Sequence, residues 1–223
     1  MENFHFSLPK FLFLLLLLLL LVISDQIHIC SAAAAAAART HRSPARIRTN
    51  TEYVRTSCSA TSYPRLCYNS LSVYAGKIKT NPKTLALAAL HVNLASARST
   101  AVAMRRLAKT RGLRRRDASA ISDCIEEVGD SVFELQRAIR ELCRPRVYDF
   151  GALISDIETW VSSALTDEET CMEGFGGRSV NNRFSVKAKV RRHIVRVAHL
   201  TSNSLALINT YASSAAAAQG VLP

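Results

Sequence analysis

Ile121, Ile125, Val128, Val132, Leu135, Ile139 and Leu142 follow one another at steps that alternate four and three without a break. An α-helix turns once in about 3.6 residues, so this alternation draws one apolar stripe down a single face for roughly six turns. Such a helix needs other helices to cover the stripe, and the chain supplies them. Leu87, Leu90, Leu94, Ala97, Ala101, Met104 and Ala108 recur at steps of three and four. Leu153, Ile154, Ile157, Trp160, Val161, Ala164 and Leu165 share one helical face, as do Val186, Val190, Ile194, Val197, Thr201, Ser204, Ile208 and Tyr211.

Start and stop signals bracket these stripes. Asn81-Pro82 offers an N-cap followed by proline at the first helical position, and Gly112 a stop. Asp117 or Ser119 is suited to cap the second helix, which Pro145 ends; Asp149 is suited to cap the third, which Gly174, Gly176 and Gly177 close. Four helices of about 25 residues with short connections pack antiparallel to their sequence neighbours. The expectation is an all-α fold, an up-and-down four-helix bundle over residues 81–212, with a flexible tail over 213–223. Ala and Leu dominate the apolar set, and eight Gly and six Pro are few for an all-β chain.

Residues 51–80 contain Cys58 and Cys67 with Pro64 between them, which breaks any continuous helix there. A bent helical hairpin closed by a small disulfide loop fits, worth about 2.7 kcal/mol of unfolded-state entropy. Cys124 and Cys171 stand 21 and 26 residues on either side of Pro145, so at about 1.5 Å per residue they reach similar heights on adjacent antiparallel helices. A bridge between them closes a long loop, worth about 4 kcal/mol. Cys143, at the end of the second helix and away from both pairs, is expected to be unpaired.

Lys10 precedes thirteen unbroken apolar residues, Phe11 to Ile23, and small residues run from Ser31 to Ala38. Spanning a bilayer takes about 20 apolar residues, so residues 1–32 read as a secretory signal peptide, with no membrane span after its removal. Residues 33–50, an alanine tract followed by Arg39, Arg42, Arg46 and Arg48, read as a disordered basic arm. Removing residues 1–32 takes away one Lys and two acids and raises the net charge from +12 to +13. A basic exported protein is drawn to anionic surroundings such as an acidic polysaccharide.

The chain resembles the plant invertase and pectin methylesterase inhibitor family over about residues 51–212. The resemblance rests on Ser57-Cys58 through Tyr63-Pro64-Arg65-Leu66-Cys67, on Ser122-Asp123-Cys124-Ile125-Glu126-Glu127, and on Trp160-Val161-Ser162-Ser163-Ala164-Leu165-Thr166 continuing to Thr170-Cys171-Met172-Glu173-Gly174-Phe175. It implies bridges Cys58–Cys67 and Cys124–Cys171 and a helical hairpin ahead of the bundle. It also implies a secreted inhibitor, outside the cell and in the cell wall, that binds pectin methylesterase one to one over its substrate cleft. Invertase inhibitors of the same family present a Pro-Lys-Phe element. Here the only copy is Pro9-Lys10-Phe11, inside the leader, while residues 178–186 between the third and fourth helices lack it. A pectin methylesterase pro-region is a third kind of relative, and the chain is not expected to be one, since the sequence to Pro223 includes no catalytic domain after the bundle.

Candidate enzyme contacts are the exposed-face residues Glu126, Glu127, Asp130 and Glu134 of the second helix and Asp156, Glu158 and Thr159 of the third. Arg105, Arg106, Lys109, Arg111, Arg114, Arg115 and Arg116, with basic residues of the fourth helix, are candidates for contact with pectate; the alternatives are an inhibitor of acid invertase and, second, a wall protein that binds pectin without inhibiting. Nucleic acid is excluded as partner because no aromatics interleave with these cations. His193 and His199 are six apart and share no helix face, so no metal site is expected, nor any cofactor; no serine sits in a Gly-x-Ser-x-Gly turn, so no catalytic site is expected. The protein is expected to be monomeric.

Overall fold

Asn81 begins the first long helix as its sequence signal requires: its side chain accepts from the Thr84 amide at 2.9 Å, and proline follows at the first helical position. The structure, a computed structural model, describes residues 44–145, 149–175 and 185–218. Among them the order is α1 (Pro44–Ser59), α2 (Pro64–Leu71), a 3-10 turn (Ser72–Tyr74), α3 (Ala75–Ile78), α4 (Pro82–Ala108), α5 (Arg115–Leu142), α6 (Phe150–Glu173) and α7 (Val186–Ala218). The fold is all-α: α4 to α7 form an up-and-down bundle in which α4 meets α5 and α7, and α6 meets the same two.

The caps follow local chemistry. Asp149 accepts from the Ala152 amide at 2.9 Å at the start of α6, and Ser185 accepts from the Ala188 amide at 3.2 Å at the start of α7. Neither Asp117 nor Ser119 caps α5. That helix begins at Arg115 without a side-chain cap, and Asp117 lies inside its first turn, where it favours the positive helix end and receives Nε and Nη2 of Arg114 at 2.8 and 3.1 Å. Gly112 takes φ +76 in the α4–α5 connection, a backbone that side chains with a Cβ rarely adopt.

Two apolar clusters fill the bundle. The one at the α4 start joins Ala86 and Leu90 to Leu142, Leu153 and Ile208; the one at the opposite end joins Met104, Ala120, Ile121, Phe175 and Val190. A third seats the hairpin on the bundle, with Val54, Cys58, Cys67, Leu71 and Ile78 against Leu85, Ala89 and Leu207. Cys58–Cys67 and Cys124–Cys171 are bridged, with Cα atoms 5.5 and 4.5 Å apart.

Several boundaries and one cysteine depart from expectation. The arm was expected to reach residue 50, but α1 starts at Pro44, and Asn50 within it is buried. The hairpin is two helices plus a 3-10 turn and a one-turn helix. The tail is helical to Ala218, because its alanine run has the highest intrinsic helix preference. Cys143 is not unpaired: it is disulfide-bonded. Trp160 is only partly buried at the edge of the core. Residues 1–32, expected to be a signal peptide, residues 33–43 of the expected arm, residues 178–184 and the last five residues of the expected tail lie outside the described residues. Within the described residues no helix is long and apolar enough to cross a membrane.

Candidate functional site

Each bundle helix contributes a buried polar side chain to one connected layer in the interior. Ser131 of α5 and Glu168 of α6 sit where the two apolar clusters meet; Asn93 of α4 and Thr201 of α7 complete it. Ser131 Oγ donates to Glu168 Oε1 at 2.8 Å, Thr201 Oγ1 lies 2.7 Å from Glu168 Oε2, and Asn93 Nδ2 donates to Thr201 Oγ1 at 2.9 Å. Glu168 has no solvent exposure, and among the described residues no cation shifts its carboxyl. Burial pushes its carboxyl up to about 8, against the downward pull of its two hydroxyl partners. It is therefore a neutral acid at pH 7, and its proton is placed to bridge to Thr201.

Beside this layer, a carboxylate strip runs along the α5–α6 flank. Asp167 and Glu134 share a hydrogen bond, and burial, that bond and the charges of Glu134, Glu127 and Asp130 push the Asp167 carboxyl up to about 7. Two carboxyls at hydrogen-bond distance hold one proton between them well above the ordinary carboxylate range. Glu127 is raised as well, by burial first and then by Asp130, Glu126 and Asp123.

Along the same flank, the Arg137 guanidinium lies 4.1 Å over the Trp160 ring and 5.7 Å from the Phe133 ring. Phe133 is 53% exposed. On the far side, the hairpin is fastened to α7: Asn203 Oδ1 accepts from Tyr63 N at 2.9 Å, Asn203 Nδ2 donates to Tyr63 O at 3.0 Å, and the Tyr63 ring stacks on His199 at 3.5 Å.

Of the predicted contact residues, Glu126, Asp130, Asp156 and Thr159 are exposed, while Glu127, Glu134 and Glu158 are half-buried. Glu134 was expected to face solvent and instead turns toward Asp167. The two sets are not brought together: Glu158 stands nine residues from Asp167 on α6, about 14 Å along the axis. The Phe133–Arg137–Trp160 group lies between them. The cations Arg105, Arg106, Lys109, Arg111, Arg114, Arg115 and Arg116 are all exposed at one end of the bundle. Asp167 and Glu168 were missed. Glu168 had a signal, since Ile157, Val161, Ala164, Glu168 and Cys171 step by four and three and place it on the apolar stripe. Among the described residues, no cluster of His, Cys, Asp and Glu is arranged to hold a metal ion.

Residues 52–207 match the family model described as plant invertase/pectin methylesterase inhibitor. The chain is 49% identical over 169 residues to "Pectinesterase inhibitor 10" of Arabidopsis thaliana, covering 74% of this chain and 53% of that protein. It is 44% identical to the "21 kDa protein" of Daucus carota (73% and 84% covered) and 42% identical to "Pectinesterase inhibitor 9" of Arabidopsis thaliana (72% and 81% covered). It thus spans about half the length of the first of these relatives. In fold it resembles a crystal structure of a mutant pectin methylesterase inhibitor from Arabidopsis, with TM-score 0.55 at 22% identity over 69% of this chain and 93% of that one.

Proposed function

Because the chain belongs to the plant invertase/pectin methylesterase inhibitor family, we propose that it is a secreted inhibitor of pectin methylesterase that binds the enzyme one to one and covers its pectin-binding cleft. The observation that carries this reading is its 49% and 42% identity to proteins named pectinesterase inhibitors. The family is one of inhibitor proteins, and the chain is not an enzyme.

The mechanism is steric. α6, with 24 residues, is about 36 Å long, and two helices side by side about 20 Å wide. That flank approaches the roughly 800 Å² per partner of an ordinary stable interface. The Cys124–Cys171 bridge and the Ser131–Glu168 bond hold α5 and α6 in register, so little ordering is left to do on binding. Phe133 and Trp160, with Arg137 against both rings, have the composition of an interface centre. Glu126, Glu127 and Asp130 on one side and Asp156, Glu158 and Thr159 on the other form its rim.

The test is a pair of assays of the pure oxidised protein, against pectin methylesterase and against acid invertase, between pH 5 and 7. Inhibition of the esterase alone supports the reading. Inhibition of invertase alone transfers the function to the other branch of the family, and inhibition of neither overturns it.

A further inference from the structure

The up-and-down topology gathers cations from distant parts of the sequence onto one end of the bundle. The end of α4, the start of α5 and the start of α7 meet there, around Met104, Ala120, Ile121 and Val190. α4 brings Arg105, Arg106 and Lys109, all exposed. α5 adds exposed Arg115, and α7 adds exposed Lys189, Arg191 and Arg192. Because α4 packs between α5 and α7, these groups occupy three consecutive corners of the bundle. At helix spacings of 8–10 Å, the strip they form is about 16–20 Å across.

The acids at this end do not neutralise it. Asp117 is taken by Arg114, Asp123 lies two turns into α5, and Glu169 and Glu173 stand at the fourth corner, in the last turn or so of α6. Most carboxylates of α5 and α6 lie further down the flank, so the chain is divided between a basic end and an acidic side. Flexible cations spread over an open strip suit an extended polyanion better than a small one, which calls for a concave site. Among the described residues the large exposed apolar ones are Ile47, Tyr63, Val73, Tyr74, Val102 and Phe133, and no aromatic among them sits at this end. A strip without rings lacks the stacking platform that single-stranded nucleic acid uses.

We infer that the basic end of the bundle, formed by the end of α4 and the starts of α5 and α7, is a second binding site, for a linear polyuronate. The choice of polyuronate rests on the function proposed above. Hydrolysis of each methyl ester of pectin releases methanol and leaves one carboxylate on the chain, so the product of the inhibited enzyme is the polyanion that accumulates around it. The site holds the inhibitor on polymer already de-esterified, while the α5–α6 flank remains free for the enzyme.

The test is affinity electrophoresis of the full oxidised chain, without enzyme, through gels containing polygalacturonate, fully methyl-esterified pectin or single-stranded DNA. Retardation is expected in polygalacturonate alone, weakening about tenfold between about 0.05 and about 0.5 M salt as screening shortens. The variant Arg105→Gln/Arg106→Gln/Lys109→Gln/Arg191→Gln is expected to lose about tenfold in retention. Its thermal unfolding and its inhibition of pectin methylesterase stay at the level of the unmodified chain, since all four side chains are exposed and lie off the enzyme-binding flank. A charge-matched control, Arg65→Gln/Lys77→Gln/Lys79→Gln/Lys83→Gln, removes four cations from the hairpin end and keeps its retention. Equal loss in both variants, equal retardation by esterified pectin, or stronger binding to DNA overturns the inference. Enzyme inhibition is scored separately, so a failed polyuronate site and a failed inhibitor reading give different results.

Discussion

Replacing Glu168 with Gln keeps the shape of the buried acid and removes its proton. Glu168 passes from an ordinary value of 4.5 to about 8 on folding. A value raised on folding means that the native state holds the proton more tightly than the unfolded chain does. The associated stability is complete below pH 4.5 and is lost as pH climbs through 8. At 1.36 kcal/mol per pH unit, the loss is about 3 kcal/mol at pH 7 and levels off near about 5 kcal/mol above pH 9. Glu168→Gln lacks this loss, and its amide can donate to Thr201 while its oxygen accepts from Ser131. The variant should match the unmodified chain near pH 4 and exceed it by about 3 kcal/mol at pH 7. Urea unfolding of the oxidised proteins at both pH values measures this directly, as a shift in midpoint at unchanged slope. Parallel stability curves for the two proteins from pH 4 to 9 would refute the claim that Glu168 is a buried neutral acid.

Glu134→Gln should return the Asp167 carboxyl from about 7 toward the ordinary range, followed as the chemical shift of its side-chain carbon during titration. Asn203→Ala removes two hydrogen bonds to Tyr63 and should cost about 2 kcal/mol, with faster amide exchange confined to α1–α3 at first. Phe133→Ala should weaken inhibition of pectin methylesterase by about 2 kcal/mol, roughly thirtyfold, at unchanged thermal stability; an unchanged inhibition constant removes Phe133 from the interface. Replacing Cys124 and Cys171 together with Ala should lower stability by about 4 kcal/mol in a chemical denaturation series.

The long helices were legible because apolar spacing is a direct image of helix geometry, and Asn81 and Asp149 cap where their chemistry suits them. Chain order and rise per residue made the Cys124–Cys171 bridge feasible, and the family resemblance implied both pairings. The buried layer was harder to read. Thr201 and Ser204 stood on the stripe of α7, yet a carboxyl on the stripe of α6 is ordinarily assigned to water. Its burial depends on Ser131 and Thr201, which approach from two other helices and leave no mark in local sequence. Likewise, α1 begins at Pro44 in a stretch with little apolar surface of its own. What orders it is the cluster around Val54 and Cys58, formed with residues of α2 to α4 and α7. The Phe133–Arg137–Trp160 group is similar: two rings on different helices join only through an arginine that composition counts as one more charge.

The fastening of Tyr63 by Asn203 has a consequence for biosynthesis. The two residues are 140 positions apart, so at about 5–20 residues per second the hairpin emerges about 7–28 seconds before its anchor exists. During that interval Cys58 and Cys67 remain open to an oxidant, whereas in the finished molecule each is only 1% exposed. α7 thus closes over a bond that has had time to form, and a later reductant meets a disulfide already out of reach.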